Sequence, residues 1–331
     1  MLIILEGPDL AGKTTLAARL QTYLAIKYPR HTVTLLHRGP PPLGTHPLDE
    51  YVQPLLDYVP GGNEHVICDR WHWGEYVYPE VKRRKTKMTP GIFDYVELFL
   101  KMRGAVTVHV TAPIAVLVDR YARRGDDYVT LGDLRPIAEG FQLAENESIT
   151  GYRPTSSTPE HIADVAHFAE ARASLFAGFI TPVGQMRPDV LLLGDVRASL
   201  KRGERSTAFM PYPATSGHYL TWAIRAAGIP ELRRNATIAN ACDVDDVEAL
   251  YLELGKPAVV ALGERAHRSL GGIPHAVVPH PQYVRRFHYA RAAEYGRLIW
   301  QVAGTEGNEI GWMNLLPRRA GWSTQVSSPA F

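Results

Sequence analysis

The hydrophobic pattern of the first half of the chain alternates short apolar runs with longer segments in which apolar residues recur every three or four positions. Short apolar runs are typical of buried strands, and the longer spacing is typical of helices with one buried face. The pattern predicts strands at residues 2–5, 32–37, 65–71 and 105–110, and helices at residues 15–25, 89–103, 114–124 and 159–177. Alternating strands and helices favour a parallel sheet with helices on both faces.

The same alternation starts again in the second half, after a turn-rich segment at residues 151–159 and a linker at residues 182–188. Here the pattern predicts strands at residues 189–195, 237–241 and 258–262, and helices at residues 216–227 and 247–254. A length of 331 residues is sufficient for two domains. We therefore predict an α/β fold with two domains, at residues 1–182 and 188–331.

The composition narrows the classes of function. The apolar share of 45% is typical of a folded globular protein, and a net charge of +2 means that any nucleic-acid affinity must come from local patches. The two cysteines, Cys68 and Cys242, are too few for a disulfide framework, a four-cysteine iron–sulfur cluster or a structural zinc site. The sequence contains neither a long apolar run nor a signal peptide, so we expect a cytoplasmic protein without a membrane partner.

The strongest motif lies between the first predicted strand and the first predicted helix, where residues 7–14 read GPDLAGKT. In that context, the spacing of glycine, four residues and then Gly-Lys-Thr predicts a P-loop, whose backbone N–H groups surround phosphate oxygens. We expect Lys13 to contact the β- and γ-phosphates and Thr14 to hold magnesium. The predicted nucleotide-binding residues are Gly7, Pro8, Asp9, Leu10, Ala11, Gly12, Lys13, Thr14 and Thr15.

Further charged residues lie at the carboxyl ends of the predicted strands: Arg38 follows the second strand, and Asp69 and Arg70 end the third. Because ligands bind beyond the carboxyl ends of parallel strands, these residues and the P-loop should converge. Asp69 is placed to orient magnesium or the attacking hydroxyl, and Arg70 to neutralise the transferred phosphoryl group. A surface ion pair is the alternative interpretation.

Three arginines, Arg120, Arg123 and Arg124, share one face of the predicted helix at residues 114–124. In a phosphoryl-transfer enzyme, such a segment closes over the γ-phosphate and excludes water, whereas the alternative is a solvated helix face. The candidate catalytic residues are therefore Lys13, Asp69, Arg70, Arg120 and Arg124.

The P-loop, the Asp69-Arg70-Trp71 step and the arginine-rich segment at residues 120–127 together resemble the thymidylate kinase family of P-loop kinases. The resemblance implies a parallel sheet of the nucleotide-kinase type in residues 1–182, with ATP and Mg²⁺ as cofactors. It implies that Thr14 and Asp69 lie at the metal, that Asp9 contacts the acceptor, and that Arg38 holds an acceptor phosphate.

The acceptor side departs from that family. The residues after Arg38 read Gly-Pro-Pro-Pro where the family has Glu-Pro-Gly, and residues 82–87 form a basic cluster that includes Arg84. This cluster is larger than a mononucleotide requires. We therefore expect retained ATP chemistry with a rebuilt acceptor site.

The second half resembles the uracil-DNA glycosylase superfamily over residues 188–302, through the strand at residues 258–262 and a His280-Pro281 step followed by arginines. The resemblance implies a base-binding site with Asp195, Asn240 and His280. Because the loop at residues 194–198 lacks the glycosylase signature, we expect binding of a base and not its cleavage. The alternative for His280 is an ordinary hydrogen-bonded loop histidine.

Basic and aromatic residues cluster beside this histidine, at Tyr283, Arg285 and Arg286. Cationic side chains neutralise phosphates without sequence preference, and aromatic faces stack on unpaired bases. We predict that these three residues contact DNA; scattered solvated arginines are the alternative.

A kinase-like half beside a glycosylase-like half indicates an acceptor within DNA, since a base must be turned out of the stack before an enzyme can act on it. The combination resembles the 5-hydroxymethyluridine DNA kinases of bacteriophages. It implies transfer of phosphate from ATP to the hydroxymethyl group of 5-hydroxymethyluracil, with DNA containing that modified thymine-like base as the partner. The alternatives are a free deoxynucleoside monophosphate kinase, a nucleotide-gated DNA-binding module without turnover, and an active glycosylase.

Overall fold

Two parallel sheets, one in each half of the chain, organise the protein. The computed structural model describes residues 1–303 except 43, 83, 153–158, 176–187, 196–207, 213–214 and 245. Helices cover both sheets, which confirms the predicted α/β class with a P-loop sheet followed by a second parallel sheet. Among the described residues, none of the helices combines the length and apolar character needed to span a bilayer.

The first sheet has the strand order β2-β3-β1-β4-β5, and all neighbouring strands run parallel. Its strands are β1 Leu2–Glu6, β2 Thr32–His37, β3 Glu64–Asp69, β4 Ala105–His109 and β5 Gly151–Tyr152. Its helices are α1 Lys13–Lys27, α2 Pro47–Tyr51, α3 His72–Val81, α4 Pro90–Met102, α5 Ile114–Arg124, α6 Leu134–Glu147 and α7 Pro159–Leu175. Every residue of β1 is buried, because this central strand is covered on both faces and is therefore apolar along nearly its whole length.

The second sheet has the order β7-β6-β8-β9 and is also entirely parallel among the described residues. Its strands are β6 Val190–Gly194, β7 Ala236–Asn240, β8 Ala258–Leu262 and β9 Ala276–Val278. Its helices are α8 Ser216–Ala226, α9 Pro230–Asn235, α10 Val247–Glu253, α11 Glu264–Ser269, α12 Pro281–Phe287 and α13 Ala292–Ala303. Alternate residues of β6 enter two different cores: Val190 and Leu192 pack toward α8 and α13, and Leu191 and Leu193 toward α10 and α11.

The two halves contact each other where α4 packs against α8. Arg225 of α8 binds both carboxylate oxygens of Asp94 at 3.0 Å, and Arg233 of α9 lies 3.1 Å from the same carboxylate. The Tyr95 hydroxyl donates to the carbonyl of Ala208 at 2.8 Å. These contacts join the first half to the segment that follows β6 along the chain.

The predicted bounds agree with the structure within about one turn for the long apolar elements, and β2, α5 and β8 match to the residue. The helices α3 and α6 were not predicted. Helix α3 contains Pro79 and α6 contains Gly140, and both residue types weaken a helical pattern. The boundary between the domains stays a prediction, since residues 176–187 lie outside the described part of the chain, as do the last residues of the predicted helix 159–177.

Candidate active site

The P-loop connects β1 to α1 in a conformation that only glycine accommodates at its two framing positions. Gly7 has φ 144°, and a Cβ atom there would lie 2.1 Å from the carbonyl oxygen of Val110. Gly12 has φ 105° at the start of α1. The loop can therefore pass close to the end of β4 and direct its N–H groups toward a bound anion.

Lys13 lies beneath this loop and is only 4% exposed. Its Nζ donates to the carbonyls of Gly7 and Pro8 at 2.8 and 2.7 Å. Burial lowers the pKa of Lys13 to about 8, although the charge of Asp9 partly opposes the shift. A phosphate in the loop would supply the negative charge that favours the ammonium form.

A cavity of about 580 Å³ opens over the loop. Besides residues of the P-loop and α1, it is lined by five arginines and Asp126; the arginines are Arg19, Arg70, Arg120, Arg123 and Arg124. Arg120 Nη1 donates to the carbonyl of Leu10 at 2.6 Å, which holds α5 against the loop. The structure thus brings Lys13, Arg70, Arg120 and Arg124 together around a space of the size and charge that suit a polyphosphate.

Asp69 ends β3 next to the first turn of α1 and is 2% exposed. Its Oδ2 accepts a hydrogen bond from Thr14 Oγ1 at 2.8 Å and lies 3.0 Å from His37 Nδ1. Its Oδ1 is buried and has no partner among the described residues. A hydroxyl and a carboxylate with a spare oxygen suit Mg²⁺, which is usually held by one or two protein ligands together with substrate phosphates. The described residues contain no cluster of three or more histidine, cysteine or acidic side chains arranged for a metal.

Arg70 follows Asp69 in a left-handed conformation with φ 72°. Its Nη2 pairs with the Asp9 carboxylate, which also accepts a hydrogen bond from the Tyr78 hydroxyl at 2.7 Å. The buried Glu6 stabilises the turn at residues 70–73, because its Oε1 accepts hydrogen bonds from the backbone N–H groups of Trp71 and Trp73 at 2.9 and 2.8 Å. Contacts from the P-loop, α3 and β1 therefore fix where the Arg70 guanidinium lies.

A second, narrow cavity of about 40 Å³ adjoins the first at Arg70, which lines both. Its other lining residues are Gly39, Pro40, Pro41, Tyr51, Trp71, Gly74, Glu75, Tyr78, Arg84 and Tyr128. Arg84 lies over the ring of Tyr128, 5.4 Å from its centroid. We call this cavity the aromatic slot; its aromatic and proline walls offer flat surfaces beside Arg70, and with a volume of about 40 Å³ they must move apart to admit a base.

Arg38, predicted to hold an acceptor phosphate, lies beside the slot without lining it. Its guanidinium is 5.6 Å from the ring centroid of Trp71 and 3.2 Å from Glu50. Asp9 lines the phosphate cavity, whereas its partners Arg70 and Tyr78 also line the slot. Asp9 is thus the carboxylate at the boundary of the two cavities.

The carboxyl edge of the second sheet brings Asp195, Asn240 and His280 together. A Cβ atom at Gly263 would lie 3.1 Å from His280 Cβ and 3.7 Å from Asp195 Oδ2, and one at Gly194 would lie 3.1 Å from Asn240 Oδ1. Asn240 Nδ2 donates to Asp243, while its Oδ1 is buried and has no partner among the described residues.

His280 caps α12, because its Nδ1 accepts the N–H of Gln282 at 3.2 Å. Burial lowers the pKa of His280, with Asp195 opposing the shift. The ring of Phe209 lies beside it, with centroids 5.9 Å apart, and Phe209 has φ 49°. The capping role that we kept as the alternative is therefore present, together with proximity to Asp195.

Tyr283, Arg285 and Arg286 lie on α12, directly after His280. Tyr283 packs against Phe287 with centroids 4.9 Å apart, and Arg286 is exposed. These residues are accessible at the same edge of the sheet as the polar cluster.

Several site residues were missed by the sequence analysis: Glu6, Tyr51, Tyr78, Tyr128 and Phe209. The acidic residue directly before the P-loop was a usable signal for Glu6, since a carboxylate in a buried strand needs partners. The sequence contains no comparable signal for the tyrosines and Phe209, because they come from separate segments that meet only through packing.

The strand order, the P-loop after the central strand and the arginine-lined cavity define a P-loop protein of the nucleotide-kinase type. A search of protein-family models finds no match. The chain is 31% identical over 141 residues to the SPbeta prophage-derived uncharacterized protein YorR of Bacillus subtilis (strain 168). The aligned region covers 43% of this chain and 79% of YorR. The chain belongs to the same family as YorR.

Two solved structures are also similar to parts of the chain. One is the crystal structure of the Bacillus subtilis YorR protein in complex with phosphorylated GDP, with a TM-score of 0.38, 22% identity, and coverage of 53% of this chain and 98% of that chain. The other is deoxyadenosine kinase from M. mycoides with products dcmp and a flexible dcdp bound, with a TM-score of 0.31, 10% identity, and coverage of 52% of this chain and 99% of that chain.

Proposed function

We propose that this protein transfers the γ-phosphate of ATP to the hydroxymethyl group of 5-hydroxymethyluracil in DNA, a step in the hypermodification of phage thymidine. The observation that carries the proposal is that Arg70 lines both the phosphate cavity and the aromatic slot. A phosphoryl group leaving the first cavity would meet a ring substituent held in the second at this guanidinium.

On the donor side, the P-loop N–H groups and Lys13 would bind the phosphates, and Arg120 and Arg124 would surround the γ-phosphate. Thr14 and Asp69 would hold Mg²⁺, whose charge offsets that of the phosphates. Arg70 would stabilise the negative charge that develops on the transferred group, and in phosphoryl transfer such electrostatic stabilisation supplies most of the rate enhancement.

On the acceptor side, the slot would hold the extruded base and present its hydroxymethyl oxygen to the γ-phosphorus. That oxygen would form the new P–O bond as the bond to the β–γ bridging oxygen breaks and ADP leaves. We assign Asp9 to receive the hydroxyl proton, because its carboxylate lies at the boundary of the two cavities.

The second half supports a polymeric acceptor. Asn240 offers a buried amide oxygen, without a partner among the described residues, beside Asp195 and His280, an arrangement that suits the hydrogen-bonding edge of a base. A free nucleotide needs one base site, whereas a strand can occupy a second. The prophage origin of YorR and the phosphorylated GDP in its crystal structure support a phage setting and nucleotide binding in this family.

A second candidate is a kinase of free deoxynucleoside monophosphates, favoured by the fact that every residue lining the slot belongs to the first half. The slot could then serve a mononucleotide without help from the second half.

The test uses the full chain with γ-labelled ATP and five acceptors: duplex DNA containing 5-hydroxymethyluracil, the single strand containing it, the same strand with thymine, thymidine monophosphate and 5-hydroxymethyldeoxyuridine monophosphate. We expect label only on the hydroxymethyluracil DNA, and none with Lys13→Ala. Label only on a monophosphate would establish the second candidate. ATP-dependent DNA binding without any transfer, or abasic sites in uracil-containing DNA, would establish the module without turnover or the glycosylase.

A further inference from the structure

Basic and aromatic side chains continue across the contact between the two halves. On the first half, the exposed Lys87 donates from Nζ to the carbonyl of Gly44, two residues before His46. The neighbouring Arg84 and Lys85 are also exposed. The basic cluster of the first half is thereby attached to the segment that carries His46.

His46 leads into the second half. Its ring lies 4.9 Å from that of Tyr212, whose hydroxyl donates to Asp49 at 2.5 Å. The Tyr212 carbonyl accepts a hydrogen bond from Thr215 Oγ1 at 2.7 Å, and the same Oγ1 accepts the N–H of His218 at 3.2 Å. His46 and His218 are therefore neighbours across the contact.

The charges along this path influence one another. Burial is the main cause that lowers the pKa of His46, and Lys87 and His218 lower it further against the opposing charge of Asp49. In the same way, burial and then Arg285 lower the pKa of His218. Arg285 Nε has no partner among the described residues. The path therefore carries permanent positive charge at Lys87 and Arg285, whereas the lowered pKa values keep the rings of His46 and His218 neutral near pH 7.

The path ends on exposed aromatic rings. Trp222 lies one turn after His218 on α8, and its ring is 4.9 Å from that of Tyr289. Trp222 is 36% exposed, Tyr289 55% and Phe287 66%. Exposed rings beside arginines are the combination that binds unpaired bases and their phosphates.

We propose that this junction strip, defined by Lys87, His46, His218, Arg285, Trp222 and Tyr289, binds one single strand of nucleic acid that spans both halves. Lys87 and Arg285 contact phosphates, and the rings of Trp222 and Tyr289 stack on bases that have no pairing partner. The inference rests on the proposed function in placing the acceptor in a polymer, and it adds that the strand is single, or locally opened, where it crosses the strip. Duplex DNA offers no free base faces to Trp222 and Tyr289.

The test measures binding of fluorescein-labelled oligo(dT), without ATP or modified base, by anisotropy at several salt concentrations. Trp222→Ala and Tyr289→Ala should each weaken binding by about tenfold. Lys87→Ala and Arg285→Ala should weaken it and lower the slope of log affinity against log salt by about one each. Trp222→Phe, which keeps a ring, should restore most of the affinity.

Two control variants lie off the strip. Arg268→Ala removes an arginine from α11, on the opposite face of the second sheet, and Phe168→Ala removes a half-exposed ring that stacks on Tyr152 in the first half. Neither should change the affinity by more than about twofold. Equal thermal unfolding of all variants excludes a folding defect.

Competitors separate the sources and classes of partner. Oligo(rU) competing as well as oligo(dT) means that the strip takes either sugar. Polyglutamate or an abasic oligonucleotide competing equally, with Trp222→Ala unchanged, would overturn the proposal in favour of a general polyanion or acidic-protein surface. If the alanine variants lose oligo(dT) binding while the wild-type protein phosphorylates none of the acceptors, the strip is upheld and the kinase proposal is refuted. If the wild-type protein phosphorylates hydroxymethyluracil DNA and none of the four alanine variants alters that activity, the kinase proposal is upheld and the strip is refuted.

Discussion

Glu6 provides the sharpest test of how the active-site turn is held. Its buried Oε1 accepts two backbone N–H groups, from Trp71 and Trp73, on the far side of the left-handed residue Arg70. Burial raises the pKa of Glu6, with His72 and the two N–H groups opposing the shift. A neutral amide is therefore a close substitute for this side chain, whereas a methyl group is not.

The size of the effect follows from the two hydrogen bonds. Glu6→Ala leaves two buried donors without an acceptor, which costs about 1–3 kcal/mol each, or about 2–6 kcal/mol in the free energy of unfolding. Glu6→Gln keeps an oxygen that can accept both bonds and should cost about 1 kcal/mol. Because an unsupported Arg70 no longer stays between the two cavities, we expect kcat of Glu6→Ala to fall about 100- to 1,000-fold.

Urea unfolding followed by circular dichroism gives the stability difference, and steady-state phosphoryl transfer gives kcat and the KM for ATP. The KM should change less than kcat, since the P-loop contacts remain. Glu139→Ala, an exposed acidic residue in α6, is the matched control and should alter unfolding by under about 0.5 kcal/mol. If the free energy of unfolding of Glu6→Ala lies within about 1 kcal/mol of the wild-type value and its kcat is unchanged, the hydrogen bonds of Glu6 are not what holds Arg70 in place.

Three further predictions concern charge. Burial lowers the pKa of Lys13 to about 8, so nucleotide affinity should fall as pH rises through 8, and nucleotide binding at pH 8 should take up protons. Binding heats measured by calorimetry in several buffers would contradict this if they do not depend on the ionisation enthalpy of the buffer. Asp69→Asn should raise the Mg²⁺ concentration needed for half-maximal rate by at least about tenfold, and an unchanged Mg²⁺ titration would remove Asp69 from the metal site. Burial alone would raise the pKa of Glu97, but hydrogen bonds from His72, Trp73 and Ser148 outweigh burial and lower the pKa to about 2. The free energy of unfolding should therefore fall by on the order of 3 kcal/mol as pH falls from 4.5 to 2. Glu97→Gln should remove that part of the dependence of stability on pH.

Much of the fold could be predicted because most of its strands are buried. Such strands are continuous apolar runs, and β8 was bounded correctly for that reason. The edge strand β2 is only half-buried, and its bounds follow from its threonine, valine and leucine residues. The short helix α12 escaped prediction, since its seven residues begin at a His-Pro step and contain too few apolar positions for a clear period. The helix α3 was hidden by Pro79 in its last turn.

The P-loop, its glycines and the charged residues at the strand ends are determined by local sequence, since a loop that curls around phosphate requires Gly7 and Gly12 wherever the rest of the chain lies. The placement of Arg70 on two cavities, the aromatic slot and the path from Lys87 to Trp222 are decided by tertiary structure. Each of these depends on which helices lie side by side and on how α4 meets α8, and spacing along the chain carries no information about distances between segments that only packing brings together.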